Sequence, residues 1–229
     1  MLVATPKNWD LHVVHAEEVA RGEGFQRLRD EILALAHPEA GDVAVDIGAG
    51  TGLLTLPLAE RGVRVWAVDI SPSMCDYLCA KAASARRDDV EVIVGSAVSL
   101  PLVDGCADLV VSNYCFHHLS HADKRRALAE AHRVLRPGGR IVLGDVMFAL
   151  ALGQPRDRRV LRDKVVAMTR KGPAGILRLA KNGLRMLSGR WEQPARDAWW
   201  TSALRAEGFV DVSVREPPHE GGLATARRP

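Results

Sequence analysis

Apolar and polar positions change their period along this chain. Over the first 37 residues, Leu11, Val14, Val19, Phe25, Leu28, Ile32 and Leu35 fall near helical spacing, with a break at Gly22 and Gly24. From residue 43 onward, short β-branched runs alternate with longer helical patterns. VAVDI (43–47), VRVWAVDI (63–70), VEVIVG (90–95), ADLVVSN (107–113) and RIVLGDVMF (140–148) read as five strands. Helices are expected over LLTLPLAERG, from Ser71-Pro72 onward, and over about 121–135. Pro72 suits a first helical turn, where the missing N–H has no intrahelical partner. Alternating strands and helices imply right-handed crossovers, and the near-continuous apolar strands imply a mostly parallel sheet covered on both faces. After residue 149 the pattern becomes basic and helical for roughly 45 residues. AWWTSALRAEGF reads as a helix stopped at Gly208, FVDVSVRE as a strand, and GGLATARRP as a final edge strand.

Composition narrows the class. The 229 residues are 47% hydrophobic and 26% charged, which suits one good-sized globular domain and excludes a disordered or fibrous chain. No run of about 18 uncharged apolar residues occurs, so no membrane-spanning helix is expected. MLVATPKNWDLHVV does not read as a secretory leader, and a cytoplasmic location is expected. Charge is unevenly placed: residues 1–150 carry 15 Lys and Arg against 20 Asp and Glu, whereas 151–229 carry 16 against 8. The basic third suits an acidic partner or a lipid surface, although a solvated helix face is the plainer account. Cys75, Cys79, Cys106 and Cys115 lack metal-ligand spacing and read as reduced thiols, and no metal site is expected. Oligomeric state cannot be read from this pattern.

The chemistry concentrates after the first strand. Gly48, Gly50 and Gly52 of DIGAGTG sit where an open doubly wound sheet binds its ligand, beyond the carboxyl end of a strand. Glycine there lets the backbone turn tightly and approach a ligand, and the N-terminus of the following helix would offer N–H groups. Asp69 ends the second strand, where an acid accepts ribose hydroxyls. The two features together indicate a nucleoside cofactor. The Gly-x-Gly-x-Gly spacing departs from the dinucleotide Gly-x-Gly-x-x-Gly. Asp46, beneath the loop, would repel a pyrophosphate and attract a ligand with ammonium and sulfonium groups.

VAVDIGAGTGLLTLPLAERGVRVWAVDISPSM resembles the cofactor half of class I S-adenosylmethionine-dependent methyltransferases. SLPLVDGCADLVVSNYCFHHL (99–119) and ALAEAHRVLRPGGRIVL (127–143) are similar to two further signatures of that family, in its ubiquinone/menaquinone and small-molecule branch. The likeness covers about residues 41–148. It implies a Rossmann-like seven-stranded sheet in one domain: an N-terminal helical lid (1–40), a cofactor core (41–148), a basic helical cap (149–194) and a C-terminal helix with strands (195–229). It implies that Gly48, Gly50 and Gly52 wrap the methionine part of the cofactor, that Asp46 holds the loop, and that Asp69 takes the ribose. Ile70 and Met74 would flank the adenine, Ser96 and the Ala97 backbone would meet its edge, and Asn113 would contact the methionine portion or the acceptor. Ser96 stands where many relatives carry an aspartate.

Methyl transfer to a hydroxyl needs positioning and a proton acceptor, and histidine is the usual base near neutral pH. His117 and His118 are the candidates, and His121 reads as an exposed helix start. Trp9 and His12 are expected to close the site, or simply to pack a surface helix. Between Pro155 and Arg190 lie 11 Lys and Arg against Asp157 and Asp163, with Val160, Leu161, Val165, Met168, Ile176, Leu179, Leu184 and Leu187 interspersed. That pattern suits amphipathic helices that recruit an amphipathic or anionic small molecule, with transient membrane-surface contact through 155–190. Trp191, Trp199 and Trp200 follow as candidate aromatic platforms, or as core residues of the cap. Nucleic acid is not expected as a partner. The leading reading is methyl transfer to a small organic acceptor at O or C, hydroxyl, phenol-type or quinone-like. The alternatives are a non-catalytic nucleoside-binding protein and a dinucleotide-dependent oxidoreductase.

Overall fold

The computed structural model describes residues 8–147, 155–170, 172–173, 175–177, 193–216 and 221–229. Seven strands form one sheet in the order β3-β2-β1-β4-β5-β7-β6. They are β1 (Val43–Ile47), β2 (Arg64–Asp69), β3 (Val90–Val94), β4 (Ala107–Asn113), β5 (Leu135–Val146), β6 (Val210–Arg215) and β7 (Gly221–Arg227). The first five run parallel, and β7 is antiparallel to both β5 and β6. The sheet is therefore mixed. GGLATAR is not the edge: it lies between β5 and β6, and β6 takes the outer position. Its small and apolar side chains explain this, since Gly221–Ala224 are all buried whereas β6 alternates toward solvent.

Alternate residues of the central strands feed two separate cores, as a period of two requires. Val45, Ile47, Val110, Ile141 and Leu143 pack with Ala127, Leu128 and Ala131 of α5 (His121–Val134) and with Trp200, Ala203 and Leu204 of α7 (Asp197–Ala206). Ala44, Leu109, Val111 and Val142 face the other way, onto Leu28, Ile32, Leu33 and Ala36 of α2 (Glu23–Ala36) and onto Leu58 of α3 (Thr55–Ala59). The apolar stripe of α2 is thus the one its 3.6 spacing predicts.

Two expected elements differ in detail. Gly22 caps α2, whereas Gly24 lies inside that helix. The helix expected over LLTLPLAERG shrinks to the five residues of α3. By contrast, α4 (Pro72–Ser84) begins as its sequence demands: the Ser71 hydroxyl accepts from the Met74 amide at 3.2 Å, with Pro72 in the first turn. Before α2, a 3-10 turn over Trp9–His12 leads into α1 (Val13–Ala20). Beyond the fifth strand, α6 (Pro155–Thr169) is the main described part of the basic segment, followed by residues 170, 172–173 and 175–177. Lys171, Lys181, Arg185, Leu179, Leu184, Leu187 and Trp191 lie outside the described residues or side chains.

Candidate functional site

The chain order reverses between β1 and β4, where strands depart to opposite sides of the sheet. In open α/β sheets the crevice beyond that point is the ligand position. Four strand ends meet there: Ile47 and its glycine loop, Asp69, Asn113, and the Gly144–Val146 end of β5.

The loop is held from within. The Gly48 and Ala49 amides donate to the Val68 carbonyl at 2.8 and 3.1 Å, and Gly52 donates to Ala49 at 2.9 Å. Gly50 donates to Asp69 Oδ2 at 2.8 Å, while Asp69 Oδ1 accepts from the Ser71 amide at 2.9 Å. Asp69 thereby clamps the loop to the second strand. The amides of Gly48, Ala49, Gly50 and Gly52 are committed to protein acceptors, and the following helix is short. This corrects the expectation that the loop and helix start offer a ready anion site.

Each glycine is needed for its own reason. Gly48, Gly50 and Gly52 all have positive φ, at 72°, 52° and 87°. A Cβ on Gly48 would lie 2.4 Å from Cys115 Sγ, and one on Gly52 would lie 2.4 Å from Leu78 Cδ1. A Cβ on Gly50 would meet nothing within 4 Å, so this residue borders open cleft.

Electrostatics make the cleft acidic. Asp46, Asp69 and Asp145 all push the Cys115 thiol upward, after desolvation of the thiol itself. Burial raises the Asp69 carboxyl, against the opposing hydrogen bonds from Ser71 and Gly50. Asp46 does not bind the loop amides. Its Oδ2 accepts from the Thr55 hydroxyl at 2.6 Å, and burial pushes its pKa to about 7.

Around the rim, Ile70 is 62% exposed, as a platform for a flat ligand requires, whereas Met74 is only 3% exposed and sits in the core. Ser96 bridges to Ser99, and its hydroxyl accepts from the Val98 amide at 3.4 Å. Ala97 packs on the core beside it. Asn113 ends β4 with both side-chain polar atoms buried and without a partner among the described residues. A buried amide in that condition is a cost that a bound ligand removes.

The two histidines differ. His117 is 6% exposed, and its Nδ1 lies 2.6 Å from Asp145 Oδ1. His118 is exposed, 3.8 Å ring to ring from His117 and 4.5 Å from Trp9. Tyr114 meets His117 edge-on at 6.2 Å and Phe25 at 4.3 Å. His12 sits 6.2 Å from Trp9, and among the described residues no ring contact joins it to the histidine pair. The N-terminal segment does fold over this edge. Asp10 accepts from the Ser71 hydroxyl at 2.5 Å and the Ser73 amide at 3.1 Å, and Lys81 joins Glu17 at 3.0 Å to the Thr51 carbonyl at 2.8 Å.

Sequence reasoning missed Asp10, Asp145 and Lys124. Only a short acidic hint, GD before the end of the fifth strand, pointed to Asp145. Trp199 and Trp200 are not a platform at this mouth: Trp200 is fully buried against Phe116, and Trp199 packs on His121. Among the described residues no cluster of His, Cys, Asp and Glu has metal-binding geometry, and no helix is long and apolar enough to cross a membrane.

Residues 45–143 match the family model of a methyltransferase domain. An uncharacterised methyltransferase of Geobacillus kaustophilus is 34% identical over 143 residues, which is 62% of this chain and 61% of that protein. One of Mycobacterium tuberculosis is 42% identical over 106 residues, 46% of this chain and 40% of that protein. The chain thus spans about three-fifths or less of these curated relatives. An S-adenosylmethionine-dependent methyltransferase of Aquifex aeolicus superposes with a TM-score of 0.66 at 19% identity, over 94% of this chain and 97% of that one. One from Methanococcus maripaludis gives 0.67 at 22% identity, over 100% and 97%. At those identities the likeness is one of fold.

Proposed function

We propose that this chain, whose residues 45–143 match the methyltransferase-domain family, is an S-adenosylmethionine-dependent methyltransferase that transfers the cofactor's methyl group to a small organic acceptor. The acceptor class is hydroxyl, phenol-type or quinone-like, in keeping with the ubiquinone/menaquinone branch that the sequence resembles. When bound, the cofactor supplies an electrophilic methyl on a sulfonium, whose S–C electrons return to sulfur as the acceptor bond forms.

The residues fit that group. The observation that carries the reading is the clamp of Asp69 on Gly50 beside an acidic cleft. Each Asp69 oxygen keeps acceptor capacity for a ribose hydroxyl, because a carboxylate offers about four lone-pair sites. Gly50 borders the space where the methionine part would lie, and the orphaned amide of Asn113 would gain hydrogen-bonding partners from it. Ile70 offers a flat apolar surface to adenine, and the Ala97 backbone and Ser96 flank the same rim. Carboxylates attract a sulfonium and an ammonium, whereas a pyrophosphate would meet them with few loop amides to offset the repulsion. This weighs against the dinucleotide reading.

Calorimetry with S-adenosylhomocysteine tests the cofactor reading. Micromolar binding is expected, and Asp69→Ala should weaken it at least about tenfold, since hydrogen bonds to a charged group are worth roughly 1.5–3 kcal/mol each. No heat at high micromolar ligand would overturn it. NADH fluorescence should stay unchanged on mixing.

A membrane-dissolved acceptor is a second reading that one observation favours. On and beyond α6, exposed Arg158, Arg159, Arg162 and Arg170 accompany Val165, Val166, Ile176 and Leu177, with Leu177 72% exposed. Co-sedimentation with anionic vesicles at low salt supports surface contact, and its absence removes that variant.

A further inference from the structure

We propose that Asp46 is a charge sensor for the cofactor: it is protonated before binding, gives that proton to solvent when the sulfonium form enters, and so makes the chain hold the methyl donor more tightly than its neutral-sulfur product. This rests on the cofactor reading and assigns to one residue of that site a selectivity between the two forms.

Strand register sets the geometry. Asp46 on β1 is paired with Ala67 on β2 and with Val111 on β4. With a period of two, Asp69 and Asn113, each two residues further along its strand, stand on the same face of the sheet as Asp46. Asp69 clamps Gly50 at 2.8 Å, and the Asn113 amide is buried without a partner among the described residues. Asp46 itself is 2% exposed and takes the Thr55 hydroxyl of α3 at 2.6 Å. On this face α2 presents only apolar side chains to the sheet: Leu28, Ile32, Leu33 and Ala36. Lys81 of α4 is engaged with Glu17 at 3.0 Å and the Thr51 carbonyl at 2.8 Å. Cys115, beyond β4, is a thiol that Asp46 and Asp69 both favour in its neutral form. Among the described residues no ion pair reaches Asp46.

A buried carboxyl with one hydroxyl donor and a carboxylate neighbour is costly to ionise. Burial raises it, the Thr55 hydroxyl opposes that, and the Asp69 charge adds to it, so that it stands at about 7. What the cluster lacks is a positive charge. S-adenosylmethionine carries a sulfonium where S-adenosylhomocysteine carries an uncharged thioether. The amino-acid portion is common to both and cancels in their ratio. A cation at this face favours the ionised carboxyl. By linkage, the ionised carboxyl favours the cation to the same extent. Below the range where Asp46 titrates the donor has to displace a proton, and above it none. Donor affinity therefore rises with pH through that window, while product affinity stays flatter. Once the methyl group is transferred the sulfur is neutral, Asp46 regains a proton from water, and the selective hold on the nucleoside is gone.

Calorimetry with both nucleosides, each in two buffers of different ionisation enthalpy, counts the protons released on binding. Near neutral pH the donor should release roughly half a proton or more beyond the product. Between about pH 5.5 and pH 7.5 the ratio of the two Kd values should swing about tenfold toward the donor. Asp46→Asn should abolish the excess proton and leave the ratio flat with pH. Thr55→Val removes the hydroxyl that favours the ionised carboxyl, and should move the swing about one unit to higher pH. This second variant keeps the test decisive should Asp46→Asn fail to fold. An excess proton that persists in Asp46→Asn, a swing unmoved in Thr55→Val, or a wild-type ratio flat with pH overturns the proposal. Both nucleosides bound with no excess proton rejects the sensor and leaves the cofactor assignment standing. Neither bound rejects the cofactor reading, and the sensor with it.

Discussion

At the scale of single residues, the glycine loop separates fold from binding. Gly48→Ala meets both a positive φ and the Cys115 sulfur at 2.4 Å. Thermal denaturation should register a loss of about 1–3 kcal/mol from strain alone, with more from the clash. Gly50→Ala meets only the backbone penalty, since its Cβ would enter open space. That variant should lose about 1 kcal/mol yet bind S-adenosylhomocysteine markedly more weakly, because the added methyl enters the cleft. Asp46 carries a pH signature. Its carboxyl is raised to about 7 in the folded chain, so the folded state holds a proton that the unfolded state releases near pH 4. Stability therefore falls as pH rises through that window and levels off above 7. The ionised form depends on the Thr55 hydroxyl. Thr55→Val should cost more in melts at pH 8 than at pH 5, by about 1–3 kcal/mol.

At the scale of elements, the N-terminal turn is a strap across the start of α4. Asp10 supplies a side-chain acceptor to Ser71 and Ser73, and those hydrogen bonds hold its carboxyl below its usual range. Glu17 and Lys81 fasten α1 to the glycine loop through Thr51. Asp10→Asn and Asp10→Ala should speed hydrogen exchange over residues 9–20 and weaken S-adenosylhomocysteine binding, while the sheet amides stay protected. Unchanged exchange over that segment would reject the strap. The helical spacing of Leu11 and Val14 predicted a helix here, but not which surface it covers. Leu11 and Val14 are in fact 80% and 74% exposed, so polar anchors rather than apolar burial locate the segment.

At the scale of the whole molecule, α7 ties the connection that carries Gln193 to the core. Trp200 is fully buried, packed on Phe116 at 5.6 Å just before the two histidines. Trp200→Ala should cost about 3–5 kcal/mol in chemical denaturation, whereas Trp200→Phe should cost less and leave cofactor binding intact. The sequence alone determined the strand–helix alternation, the glycine loop and the acid at the end of β2. These are periodicities and turn chemistries that act within a few residues, and VAVDI, ADLVVSN and the start of α4 carry them in full. Tertiary structure alone decided that GGLATAR enters the sheet between β5 and β6, that Asp145 meets His117 across 28 positions, and that Lys124 is buried under Gln193. Pairings of that kind depend on which strand ends and loops are brought side by side by the fold. A local pattern of apolar and polar residues sets the face a side chain takes, but not the distant group it meets there.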